Sequence, residues 1–364
     1  MPPPVPPPVP PVTKLVYIGT KTLNYAANES DFDLLETADG TTFNLKDPAM
    51  PDINYPVNAA QGGLEFAYGN NTFSMVNEFD TINLNRKVAF SSDFVTWTYS
   101  YLPTLSGIYQ NDGFHYNFLN DKFIVLPNNS SSTVATEFAY TTNGTTWNKA
   151  TTAYLQRTEI YGSAYGKVNN VNVYVVGFRR IDNSNFQFMK STDGINWIYN
   201  PTVYSPFGFT NVNRKIMTIS ISGNTIFCLV LFKNNNINPT GLATLTSTNG
   251  GTVWTVIDCP FYSITKQNWK FSSANNYFFA LYEDTVYTST NGKNWSSPRT
   301  LPISRTWGEV QYIGGKYVCV PDYCSSTPAV SRIGIYSTDL LNWSTFVLPI
   351  NPTFCLVANC KSNP

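Results

Sequence analysis

Histidine is almost missing from this chain: His115 is the one copy in 364 residues. A zinc or iron site built on several imidazoles is therefore excluded, and the cysteines do not replace it. There are six (Cys228, Cys259, Cys319, Cys324, Cys355 and Cys360), none in a Cys-x-x-Cys pair. Cys228, Cys319 and Cys355 sit in apolar strand-like runs and read as small buried hydrophobes, although Cys319 with Cys324, or Cys355 with Cys360, could close a short loop. No metal and no cofactor is expected. Charge is scarce as well, with 23 Lys+Arg against 23 Asp+Glu and only 13% charged residues. Without a basic cluster there is no electrostatic capture of nucleic acid or of an anionic membrane. No run of about 18 apolar residues exists, so no helix is expected to insert into a bilayer. A 3.6-residue apolar period is also missing, which predicts an all-β chain.

What is abundant is asparagine, 41 residues, and aromatic side chains, 15% of the chain. Polarity carried by amides suits turns, and aromatics suit strands. The N-terminus reads MPPPVPPPVPPV, with prolines at Pro2, Pro3, Pro4, Pro6, Pro7, Pro8, Pro10 and Pro11. It has no basic start and no apolar helical stretch, so it is not read as a secretory signal. Such a segment favours an extended polyproline II strut, either a solvated linker or a preformed peg for a partner's groove. Residues 1–13 are thus read as a tail, and 14–364 as the folded part.

One pattern, Ser/Thr-x-Asp/Asn-Gly-x-x-Trp, recurs seven times. Its turn residues are Asp39, Asp93, Asn143, Asp193, Asn249, Asn291 and Asp339. The closing aromatics are Phe43, Trp97, Trp147, Trp197, Trp254, Trp295 and Trp343, spaced by 54, 50, 50, 57, 41 and 48 residues. An Asp or Asn here can bond the backbone two residues on, Gly supplies a positive φ, and the indole fills space beside the next unit. Phe94 and Leu340 replace Gly in two copies, where a distorted turn is expected. Between the motifs lie pairs of short strands around a Gly/Asn turn, as in Leu64–Val76, Gly113–Val125, Ser163–Val176, Ile219–Leu231, Phe271–Leu281 and Val310–Val320, with Lys14–Tyr25 as the first. Seven units of four antiparallel strands at blade length predict a seven-bladed β-propeller. Residues 353–359 read as one more strand, pairing with the first blade.

These residues resemble the Asp-box, or bacterial neuraminidase repeat, of sialidase-like propellers, over positions 14 to about 349. That motif is Ser-x-Asp-x-Gly-x-Thr-Trp, and most copies here are one residue shorter before the Trp. The resemblance implies the propeller fold and leaves activity open, since such boxes also occur in non-enzymes. A sialidase would hold a sugar carboxylate with three arginines near the axis, for which Arg157, Arg214 and Arg305, just before inner strands, are the candidates. His115, in a Phe-His-Tyr strand, reads as a packed histidine. The loops from outer to next inner strand, and between the middle strands, share one face. Stretches such as Asp47–Ala60, Ser100–Asp112, Thr151–Tyr161, Tyr199–Asn213 and Cys259–Asn268 are rich in Tyr, Pro and Asn, which suits sugar or protein contact.

Three roles compete. The first is a non-enzymatic binding propeller of a bacteriophage virion (a tail, baseplate or fibre component made in the host cytoplasm). Its Pro-rich N-terminus would dock on other virion proteins, and its disc would contact host-surface glycan or protein. The second is a sialidase-like glycoside hydrolase, and the third a cellular scaffold or assembly factor.

Overall fold

In the computed structural model of the protein, the described residues are 15–24, 29–46, 64–77, 87–93, 95–105, 114–127, 135–155, 158–180, 186–204, 212–234, 240–258, 269–321, 332–349 and 358–359. The Pro-rich tail lies outside them, as does most of the loop face.

Each motif folds as a side-chain-clamped hairpin. The Asp or Asn Oδ1 accepts backbone N–H groups of the following residues at 2.7–3.0 Å in all seven copies. The Ser or Thr two residues earlier donates its hydroxyl to the same oxygen at 2.8–3.2 Å. That hydroxyl is buried in every copy, and in five it also accepts the N–H of the glycine that follows, at 2.9–3.0 Å. Both polar groups of the bend are thereby satisfied where water is excluded. Leu340 makes the same bond at 2.9 Å with φ +64°. The turn is therefore intact and not distorted: Leu340 accepts a left-handed backbone, normally about 1–2 kcal/mol unfavourable, while its side chain packs against the cluster of blades six and seven. Phe94 lies outside the described residues.

The hairpins sit in seven four-stranded antiparallel sheets, which form a seven-bladed β-propeller. Six sheets use four consecutive strands. Their inner strands are Leu64–Gly69, Phe114–Leu119, Thr158–Val168, Val212–Ser222, Lys270–Ala274 and Gln311–Ile313, for blades two to seven. The turn after the inner strand is an asparagine turn in four of these: Asn70, Asn71, Asn120, Asn169, Asn170, Asn275 and Asn276 all have positive φ, the backbone that two-residue hairpins demand. Blade one departs from the predicted order. Leu15–Asn24 is a single strand, not a hairpin, and it lies second in its sheet; Ala358–Asn359 is the inner strand, with Tyr17 opposite Asn359. Thr151–Leu155, Thr158–Tyr161, Tyr199–Tyr204 and Val212–Asn213, read as loop, extend strands.

A blade has two apolar faces and cannot bury either alone, so the core lies in the seams. Six clusters are described, and each joins two neighbouring blades, from Phe90 with Phe123 (two and three) round to Phe43 with Ile313 and Val318 (one and seven). In blades one and three to seven the closing aromatic faces back onto the preceding blade, not toward the next unit, while Trp97 meets Phe73 of its own blade. Trp254 stacks on Phe188 at 4.0 Å, Trp197 meets Phe138 edge-on at 5.9 Å, and Trp295 meets Phe227 at 6.0 Å. Phe43 stacks on Phe346 of blade seven at 5.1 Å. Glycine serves this contact: a Cβ on Gly292, at φ +69°, would lie 2.3 Å from the Phe227 ring.

Cys228 and Cys319 are buried. Cys319 donates to the Gly308 carbonyl at 3.3 Å; Cys324, Cys355 and Cys360, and with them both candidate short-loop pairings, lie outside the described residues.

Trp197 is buried between Phe138 and Tyr174, so Trp197→Ala should destabilise the protein by about 3–5 kcal/mol. Gly292→Ala combines a strained φ with overpacking against a fully buried ring and should cost about 2–4 kcal/mol. Denaturant unfolding measures both; a neutral Trp197→Ala would show that the seams are not the core.

Candidate functional site

The seven turn carboxylates and amides are saturated by their own hairpins. Hydrogen bonds from the Thr42 and Thr41 amides hold Asp39 well below the usual carboxylate range. The Thr96 and Val95 amides lower Asp93 to about 2. At Asp193, partial burial opposes the shift, but the Asn196 and Ile195 amides prevail; at Asp339 the Asn342 amide leads. These are structural anchors, and the lowered values keep them ionised.

The inner strands and the turns that follow them enclose a cavity of about 540 Å³ on the propeller axis. In blades two to seven the turn after the inner strand and the Asp/Asn turn lie at the same end of the sheet, because successive strands alternate in direction and the two turns are two strands apart. The cavity is lined by the turn-proximal halves of five inner strands, blades three to seven, and so opens on the face that carries the Asp/Asn turns. Its described lining is mostly uncharged: Asn117, Ser163, Ser220, Asn224, Asn275 and Gln311 supply amides and hydroxyls, Tyr165 and Tyr312 supply rings, and Lys167 is the single charged residue among them. Among the described residues no carboxylate, arginine or histidine lines it.

Neighbouring blades cross-link around its rim. Asn120 donates to the Tyr174 hydroxyl and Asn275 to the Tyr317 hydroxyl, both at 3.1 Å, repeating one contact at two seams. Burial raises the pKa of both phenols and of Tyr165, so they remain neutral hydroxyls. Tyr165 donates to Asn172 at 3.0 Å. The lone histidine is tied in here too: His115 Nε2 lies 2.9 Å from Ser163 Oγ, which accepts the Asn117 amide at 3.0 Å. Two buried lining groups stay unsatisfied, Ser220 Oγ and Gln311 Nε2.

None of the three candidate arginines is among the described lining of this cavity. Arg305 donates to the Ile333 carbonyl at 2.8 Å and lies over the Trp307 ring at 5.5 Å, bracing blade seven. Arg214 falls in the inner strand of blade five, opposite Phe232, and Arg157 lies outside the described residues. The lining residues were not singled out by sequence. Their one signal is polar residues in otherwise apolar inner strands, such as Ser220 between Ile219 and Ile221. Among the described residues no group of three His, Cys, Asp or Glu side chains could hold a metal, and no helix is long and apolar enough to cross a membrane.

No protein-family profile matches the chain, and no curated protein matches it in sequence. Solved structures similar in shape include a GH74 enzyme of Niastella koreensis, at 14% identity and TM-score 0.46, covering 90% of this chain and 53% of that one. YCF48 bound to D1 peptide aligns at 10% identity and TM-score 0.47, covering 93% of each chain. Phage phi92 endosialidase aligns at 11% and 0.40, covering 80% of this chain and 57% of its own. This chain spans about half the length of the GH74 enzyme, and likeness at this level transfers no activity.

The turn chemistry predicts an acid limb. Depressed carboxylates stabilise the fold fully above the unfolded value of about 3.9, and that contribution is lost as pH falls toward 2 and below. Replacing Asp39, Asp93, Asp193 and Asp339 by Asn, the residue three native copies already use, should flatten the dependence of thermal stability on pH between about 4 and 2. An unchanged slope in thermal melts across that range would assign the acid sensitivity elsewhere.

Proposed function

We propose that this chain is a non-enzymatic carbohydrate-binding propeller of a bacteriophage particle, tethered through its Pro-rich N-terminus. The observation that carries the binding part is the axial cavity. Its volume falls in the range of small-molecule sites, roughly 300–1,000 Å³, and its walls combine amides, hydroxyls and tyrosine rings. A sugar presents the matching surface, hydroxyls that both donate and accept, around apolar C–H faces. Hydrolysis of a glycoside would use a pair of carboxylates across the bond, and the described lining holds none. Arg305, the one arginine of the candidate clamp with a described side chain, is committed to a backbone carbonyl.

The particle assignment rests on different support: an Asn- and aromatic-rich, weakly charged all-β chain with eight prolines in its first twelve residues. A strut of that kind loses little conformational entropy on docking. The seam-built ring supplies a rigid body that needs no contribution from the tail.

Two measurements test the reading. On a glycan array the full chain should retain host-surface saccharides without releasing sugar; no retention, or release of sugar, defeats the binding role. A chain lacking residues 1–12 should melt as the full chain does but fail to enter particles in an infected culture, and undiminished incorporation would remove the tether.

A further inference from the structure

Three asparagine–glycine pairs occur in the chain, Asn143-Gly144, Asn249-Gly250 and Asn291-Gly292, and all three sit in the outer hairpins. Such a pair carries its own chemistry. The glycine nitrogen can attack the side-chain carbonyl carbon of the asparagine, since no Cβ obstructs its approach. A folded pair reacts only where that nitrogen can move and shed its proton.

Two of the pairs are held shut. The Gly144 and Gly292 amides donate to the buried hydroxyls of Thr141 and Ser289, at 3.0 and 2.9 Å. Each asparagine Oδ1 accepts two backbone N–H groups and that same hydroxyl. Cyclisation would pull the oxygen away from all three. Both glycines are also buried against a ring: an added Cβ would lie 2.9 Å from Phe90 at Gly144 and 2.3 Å from Phe227 at Gly292.

Blade five differs. Asn249 is five residues before its Trp254, where the other six copies have four. The extra residue moves the clamp: Ser247 Oγ accepts the Gly251 amide at 2.9 Å, not that of Gly250. Among the described residues, Asn249 Oδ1 accepts one backbone amide, from Val253, beside the Ser247 hydroxyl. Gly250 is half-buried, and a Cβ there would meet nothing nearer than Val173 at 3.5 Å. The bend around it stays docked, because Asn169, Asn200 and Lys190 of blade four bind the Thr248 carbonyl, the Gly251 carbonyl and the Thr252 hydroxyl.

We infer that Asn249-Gly250 is a deamidation site of the folded protein, while the hydroxyl clamp protects the other two pairs. The Gly250 nitrogen gives its proton to water and bonds to Asn249 Cγ, and the side-chain nitrogen leaves as ammonia. Water then opens the cyclic imide. Cleavage of the new bond to Cγ leaves aspartate in an unaltered backbone. Cleavage at the main-chain carbonyl leaves the β-linked isomer, which lengthens the chain inside a bend that blade four holds in place. The first product reproduces the carboxylate that four native copies carry.

The test ages the full chain at mildly alkaline pH, once folded and once in urea. Tryptic cleavage puts the three pairs in separate peptides, and mass spectrometry reads the amide-to-acid gain at each. In the folded chain Asn249 should convert at least about tenfold faster than Asn143 or Asn291, and in urea the three rates should agree within about threefold, because local opening no longer limits them. Thr141→Val removes one clamp hydroxyl at similar volume and should speed conversion of Asn143 in the folded chain. Asn249→Asp should abolish conversion there and leave the thermal midpoint unchanged. Equal rates at all three pairs in the folded chain overturn the assignment, as does an Asn249 that reacts only in urea. A folded Thr141→Val variant with Asn143 as slow as before overturns the clamp as the cause. If that variant does not fold, the comparison of folded and urea-treated chains decides alone. A lowered midpoint in Asn249→Asp overturns the native-like product.

Discussion

One oxygen atom per blade organises this molecule. In each outer hairpin an Asp or Asn Oδ1 gathers a Ser or Thr hydroxyl and the backbone N–H groups of the bend, and the hydroxyl, in most copies, closes the circle by accepting the following amide. A bend so tied can be buried on one side, because its polar groups are no longer owed to water. Burial on that side is what brings Gly40 against Val318 and Gly292 against Phe227, and what lets the following aromatic reach the preceding blade. The seam aromatics are then the core, since every described apolar cluster lies between two blades. Local hydrogen bonding and long-range packing are, in this fold, a single construction repeated seven times.

Ring closure follows from the same arithmetic of faces. Blade seven would present an apolar face to solvent unless blade one covered it. Leu35 and Phe43 do so against Ile313, Val318 and Phe346, and Lys316 reaches across to the Asp39 carbonyl and the Thr41 hydroxyl, both at 2.9 Å. Blade one is itself a composite, taking its inner strand from Ala358–Asn359. The two ends of the chain therefore share one sheet, and opening the ring would require breaking both that pairing and a seam.

How much of this could be read from sequence depends on the range of the interaction responsible. The Asp/Asn turns were legible because their chemistry spans five residues, and the strand count followed from their repetition. Leu340 was misjudged for the opposite reason. A propensity argument sees an unfavourable residue at positive φ, while the contact that tolerates it comes from the neighbouring blade. The Leu15–Asn24 strand was read as a hairpin since the period called for one there, although the sequence offers no Asn-Gly bend; a register shift between Thr20 and Thr22 lies within it instead. The direction in which each Trp faces depends on how blades follow one another round the ring, which no local pattern encodes. The cavity was the least visible of all. Ser220 and Gln311 are 91 residues apart in sequence, and each alone is an ordinary polar residue in a strand.

That invisibility has a structural cause with a functional consequence. Inner strands from five blades each give the cavity residues at a similar distance from their turns, so the lining is a ring of equivalent positions filled differently. Three residues before that turn, blade three places Asn117 and blade six Ser272, and both side chains bond to the next blade, Asn117 to Ser163 and Ser272 to the Val310 amide. At the same position blades five and seven place Ser220 and Gln311, whose Oγ and Nε2 have no such partner. A repeated fold can thus devote most copies of a position to its own cohesion and leave a few available, at no cost to the turns and seams that stabilise the disc.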